Sequence, residues 1–88
     1  MHRFLVEKKL EQIMAKIERK NKELYEQLKK KMNEIIHAYD IEHYKNLRYD
    51  MKEFKSVHVG SFVLIFKYDK QKDFVYFSDF DHHDNIYK

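Results

Sequence analysis

The amino-acid sequence predicts an α+β domain, with a short N-terminal strand and a helix hairpin packed on a small antiparallel sheet. Three observations predict it. Apolar residues in the first forty positions recur at helical spacing, and from Ser56 onward β-branched and aromatic residues dominate. The chain's single glycine, Gly60, falls between two strand-like runs, where a turn is needed.

The elements follow in order. "RFLV" (Arg3 to Val6) is short and apolar, consistent with a brief strand or with the lead-in to a helix. Leu10, Ile13, Met14 and Ile17 then fall at i, i+3, i+4, i+7, which is one face of a helix. "RKNK" (Arg19 to Lys22) interrupts that stripe, and Asn21 is suited to cap a second helix. The second stripe is Leu24, Leu28, Met32, Ile35, Ile36 and Tyr39, with Glu26 and Lys30 paired at i, i+4 on the other face. Two amphipathic helices with a tight connection make an αα-hairpin whose apolar stripes are core.

Tyr39 to Lys55 has no clean period and reads as a connection holding one strand-like fragment. "SVHV" runs to Gly60, "FVLIFKY" follows, the polar "DKQKD" (Asp69 to Asp73) closes a hairpin, and "FVYFSDF" returns. "NIYK" ends the chain as a last strand or a tail. The run "FVLIFKY" is apolar on both alternating sets, Phe62, Leu64, Phe66 and Tyr68 against Val63 and Ile65. One set packs on the helices. The other requires a partner chain, a ligand or the terminal segment, unless the strand is central with both faces covered.

Composition sets the outer bounds. Eighty-eight residues make one domain, 1–88, with one modest core. Hydrophobic content of 43% with 16% aromatics excludes a disordered chain. The absence of cysteine excludes disulfides and thiolate metal sites and fits a reducing cytoplasm. "MHRFLVEKKLEQIM" does not read as a signal peptide, and the longest apolar run, "FVLIF", is far short of the roughly 20 residues of a membrane span. Net charge is +3; residues 1–40 hold ten Lys and Arg against seven acids, while residues 41–88 hold eight of each. That excess is compatible with nucleic acid without demanding it.

The chemistry concentrates in "FDHHDNIYK", where His82 and His83 stand between Asp81 and Asp84 with Tyr87 close behind. A divalent cation held by Asp79, Asp81, His82, His83 and Asp84 is one reading, but neighbouring strand residues point to opposite faces and so rarely share an ion. Acid–base work on a phosphate is another, because imidazole titrates near pH ~6.5 and can give or take a proton at neutrality. His2, His37 and His43 show no supporting pattern and read as surface residues.

The order of short strand, helix hairpin, connection with "KNL", "VHVGSFVLIFKYD", hairpin and "DHHDNIY" resembles the RelE/ParE superfamily of toxins from type II toxin–antitoxin modules, over essentially the whole chain. The nearest branch is the YafQ-like ribosome-dependent mRNA endonucleases. In that branch one histidine precedes the turn into the central strand, and another stands four residues before a terminal aromatic; His58 and the pair His83/Tyr87 occupy those places. The resemblance implies a catalytic group of His58, His83, Tyr87 and Lys45, the last where the family sets a basic residue or histidine on the connection. RNA contacts are further expected from Arg48, Ser61, Phe62 and His82. Cleavage by 2′-hydroxyl attack needs a base, an acid and positive charge, and no metal or cofactor. The implied partners are a cognate antitoxin, the ribosome and mRNA, in the cytoplasm and without a membrane. Two positions depart from the family: Ser61 replaces a carboxylate, and Val63 stands roughly where RelE toxins proper carry an arginine. They admit an alternative, a catalytically decayed or ParE-like binder that acts without cutting RNA.

Overall fold

A computed structural model describes residues 1–87. Strand β1 (Arg3–Val6) leads into helices α1 (Lys8–Lys20) and α2 (Lys22–Ile36). Two 3-10 turns, Ile41–His43 and Tyr49–Met51, carry the chain to β2 (Phe54–Val59), β3 (Phe62–Asp69) and β4 (Phe74–His82), and one last helical turn, α3, spans His83–Ile86. None of these helices is long and apolar enough to cross a membrane.

The helix hairpin forms as its stripes require. Asn21 ends α1 and caps α2, its side-chain oxygen accepting from the Leu24 N–H at 3.1 Å. Glu26 pairs with Lys29 rather than Lys30, one step earlier on the same exposed face. The sheet differs from an all-antiparallel one. Its strand order is β1-β4-β3-β2, with β2, β3 and β4 antiparallel but β1 parallel to β4. Helices α1 and α2 carry the chain from β1 to β2 at the opposite edge, and β3 and β4 return across the sheet to meet β1. That path is well beyond the dozen or more residues that a parallel neighbour needs.

"RFLV" is thus a strand, and the 45–47 stretch of the connection supplies the strand-like fragment. Asn46 bridges Lys55, the Leu47 N–H donates to the Phe54 carbonyl, and the Ser56 N–H donates to the Lys45 carbonyl. "NIY" forms neither strand nor loose tail but part of α3 and the residue that ends it; Lys88 lies outside the described residues.

The core lies between helices and sheet: Leu10, Leu28, Ile35 and Ile41 meet Leu64, Phe66, Val75, Phe77 and Phe80. Strand β3 is internal to the sheet, and both its faces are covered. Leu64 and Phe66 pack on the helices, while Val63 and Ile65 are buried on the other face. A bulge in β4 keeps this two-sided arrangement in step. Phe77 pairs with Phe66 and Asp79 with Ile65, so Ser78 is the extra residue. Without it, Phe80 would leave the core face and Asp79 would enter it.

His2 is more than a surface residue. Its half-buried ring bridges the Ala38 carbonyl at 2.7 Å and the Asp73 carboxylate at 2.5 Å, tying the N-terminus to the end of the helix hairpin and the β3–β4 loop. Asp73 also accepts from the Tyr68 hydroxyl at 2.7 Å. That hydrogen bond, with burial and the nearby carboxylate charge, pushes the Tyr68 phenol up to about 12 from 10.0. A folded value above the unfolded one means that this contribution is whole below pH 10 and is lost as pH rises through about 12. Thermal melts across that interval should therefore fall more steeply for the parent protein than for Tyr68→Phe. Parallel curves would refute the coupling.

Candidate functional site

Strand alternation decides which side chains can meet. Phe54, Ser56 and His58 pair with Lys67, Ile65 and Val63, so all six share the face turned away from the helices. Asp79 and Asp81 join them from β4. Gly60, at φ +61°, turns β2 into β3 in two residues, a conformation that glycine adopts without steric cost.

The terminal segment closes over this face. The His83 N–H donates to the Ser61 carbonyl at 2.9 Å, which seats the start of α3 on the β2–β3 turn. His82 caps α3, its Nδ1 accepting from the Asp84 N–H at 3.2 Å. Asp81 braces the same turn by accepting from Asn85 Nδ2 at 3.0 Å and from the His82 N–H at 2.7 Å. Those two hydrogen bonds hold its carboxyl below the ordinary aspartate range. One helical turn then brings Tyr87 onto the His83 face, their ring centres 4.8 Å apart.

His58 completes a cluster of three rings. It lies 5.6 Å from His83 with the planes 26° apart, and 6.3 Å from Tyr87. The Tyr87 hydroxyl donates to Ser56 Oγ at 3.0 Å, which ties the far end of the segment to β2. Both imidazoles are exposed. This is one wall of a groove of about 950 Å³.

Residues 45–51 form the opposite wall. They are anchored from below by Lys55, buried to 4% exposure, whose ammonium donates to the Tyr44 carbonyl at 3.2 Å and to Asn46 Oδ1 at 3.0 Å. A desolvated ammonium is costly unless hydrogen-bonded, so these acceptors fix the segment's position. Lys45 and Arg48 thereby reach the groove, where Ile65 and Lys67 also line it. Among the described residues its cations are Lys9, Lys45, Arg48 and Lys67, against carboxylates from Glu7 and Asp79. Both carboxylates are engaged: Asp79 pairs with Lys9 at 3.0 Å, and Glu7 accepts from Ser78 Oγ at 2.6 Å.

The sequence-derived candidates thus divide. His58, His83, Tyr87, Lys45 and Arg48 come together around the groove. Phe62 and His82 do not. They pair with each other on the helix face of the sheet, Phe62 stacked on Phe80 at 5.2 Å and His82 edge-on to Phe62 at 5.5 Å. Strand alternation turns them away from His58 and leaves them outside the groove lining. Ser61 touches the site through its carbonyl, by holding His83. Val63 is fully buried beneath His58, so no cation stands at that point of β3. Lys67, four residues along the same face, carries charge instead, lying over the rings of Phe54 and Tyr76. Sequence reading missed Lys67 and Ser56, though period-2 counting from Ile65 and from His58 finds each.

No family model matches the chain. Individual relatives do. Over 80 residues it is 46% identical to "Putative toxin RelE4" of Methanocaldococcus jannaschii, an overlap of 90% of this chain and 83% of that protein. An uncharacterized protein of Methanosarcina mazei is 35% identical over 88 residues, 99% of this chain and all of that one. Among solved structures, a chain in the crystal structure of the toxin–antitoxin complex RelBE2 from Mycobacterium tuberculosis superposes with a TM-score of 0.68, covering 93% of this chain and 98% of that one. At 14% identity, that likeness speaks for the fold. With close to half its residues shared along most of a relative's length, and with the helix-hairpin-on-sheet fold, this chain belongs to the RelE family of toxins.

Proposed function

We propose that this protein is the toxin of a toxin–antitoxin pair and cleaves mRNA on the ribosome, with His58 and His83 as its proton-transfer groups. The observation that carries the reading is the gathering of His58, His83 and Tyr87 on one wall of a cation-lined groove. One imidazole takes the proton of a ribose 2′-hydroxyl as its oxygen attacks the adjacent phosphorus. The other protonates the departing 5′-oxygen, leaving a 2′,3′-cyclic phosphate and a 5′-hydroxyl. Lys45, Arg48 and Lys67 offset the charge that builds on the phosphate. Tyr87, braced by Ser56, holds His83 in place and presents a ring beside it.

A cognate antitoxin is the inferred protein partner, in line with the toxin–antitoxin complex found among the structural neighbours. An acidic segment laid across the groove and α3 would cover the cluster while meeting its cations. Primer extension on mRNA from cells induced to make the protein is the deciding experiment. Cuts within translated codons are expected; intact transcripts in the presence of folded protein would sink the proposal. A second reading, a binder that has lost the chemistry, draws on the apolar Val63 beneath His58. It requires growth arrest with no cut transcripts.

A further inference from the structure

We infer that Tyr49 is a stacking platform for an unpaired base of the RNA, a subsite on the groove wall opposite the histidines; this rests on the reading of the groove as an RNA site. Two independent features single it out. Tyr49 has φ +60°, a left-handed backbone that a bulky side chain adopts only under strain. The residue is nevertheless 86% exposed, so burial does little to offset the strain. A strained aromatic held out into solvent is a poor stabiliser of the fold, and such strain clusters where a segment is shaped for a ligand.

Its surroundings specify the ligand. Tyr49 lines the groove beside Arg48 and Met51, with Lys45 on the same wall and Phe54 and Lys67 below. Cations flanking an exposed ring are the pattern by which proteins hold single-stranded nucleic acid, with charge following the phosphates and aromatic faces taking bases. The wall itself is rigid at its base, where Lys55 fixes Tyr44 and Asn46 and the Asn46 side chain donates to the Lys52 carbonyl at 2.7 Å. His58, His83 and Tyr49 line the same groove, so a strand whose phosphate lies at the histidines shares that groove with Tyr49.

The test uses the whole chain and a short unstructured 2′-O-methyl oligoribonucleotide, which lacks the attacking hydroxyl and remains uncut. A matched oligonucleotide with abasic positions is the comparison, and binding is read by fluorescence anisotropy. The parent protein should prefer the base-bearing probe. Tyr49→Phe should keep that preference, because stacking needs the ring and not the hydroxyl. Tyr49→Gly should lose about tenfold in affinity for the base-bearing probe alone, as removal of a stacking aromatic does. Since glycine fits the left-handed backbone, Tyr49→Gly should melt no lower than the parent, which separates lost binding from lost folding. A Tyr49→Gly protein that binds both probes like the parent would overturn this inference alone. A parent that ignores the base-bearing probe would remove the RNA reading of the groove along with it.

Discussion

Replacement of either His58 or His83 by alanine is expected to cut the rate of mRNA cleavage by about 10²- to 10⁴-fold, the range for loss of a positioned proton-transfer group. Both side chains are exposed and neither fills the core, so the loss should come without unfolding. His83 contributes to the fold through its backbone, donating from its N–H to Ser61 and accepting at its carbonyl from the Tyr87 N–H, and alanine retains both bonds. If the two imidazoles act on one phosphate, the double variant should be little worse than the poorer single one, because groups that act as a unit are not additive. Tyr87→Phe keeps the ring against His83 but removes the bond to Ser56, and should cost less than either histidine. Quantified primer extension, with circular dichroism as the control on folding, reads all four. A folded His83→Ala protein that cuts at the parent rate would rule out the proton-transfer role.

How far the site could be read from sequence depends on which residues are compared. The helical stripes, the Asn21 cap and the Gly60 turn are local features, and local physics settles them. His58 and His83 stand 25 positions apart along the chain, yet a two-residue turn and the β2–β3 register bring them onto one face. Phe62 and His82 show where such reading fails. Phe62 belongs to the alternating set that packs on the helices, and His82 sits opposite it only because the Ser78 bulge shifts β4 by one residue. A bulge leaves little mark in composition, so the side on which "DHH" emerges was not legible. The parallel pairing of β1 with β4 is similarly non-local, fixed by the path through both helices and the β2–β3 hairpin rather than by the four residues of "RFLV". Lys55 has no sequence signature either: its burial follows from pairing with Phe66 on the helix face.

The largest loss of stability is expected at that same place, from Phe66→Ala. Phe66 is fully buried, meets Tyr44 edge-on at 5.7 Å and lies 6.1 Å from Phe77, so it joins the connection, the central strand and β4. Truncating a buried phenylalanine costs about 3–5 kcal/mol, since the transfer energy of the ring is lost and a cavity remains. A small domain commonly has about 5–15 kcal/mol in all, so the variant should be populated in the unfolded state at moderate temperature. Val63→Ala, on the groove face of the same strand, removes fewer atoms and should cost less. Urea unfolding monitored by tyrosine fluorescence would compare them, with a shifted midpoint at unchanged slope expected for both. A Phe66→Ala loss below about 1 kcal/mol would mean that the site collapses around the missing ring. Because Tyr44 also offers its carbonyl to Lys55, a loosened Phe66 should reach the groove wall through one residue. The expected consequence is that Phe66→Ala, at temperatures where it remains folded, weakens RNA binding more than Val63→Ala does.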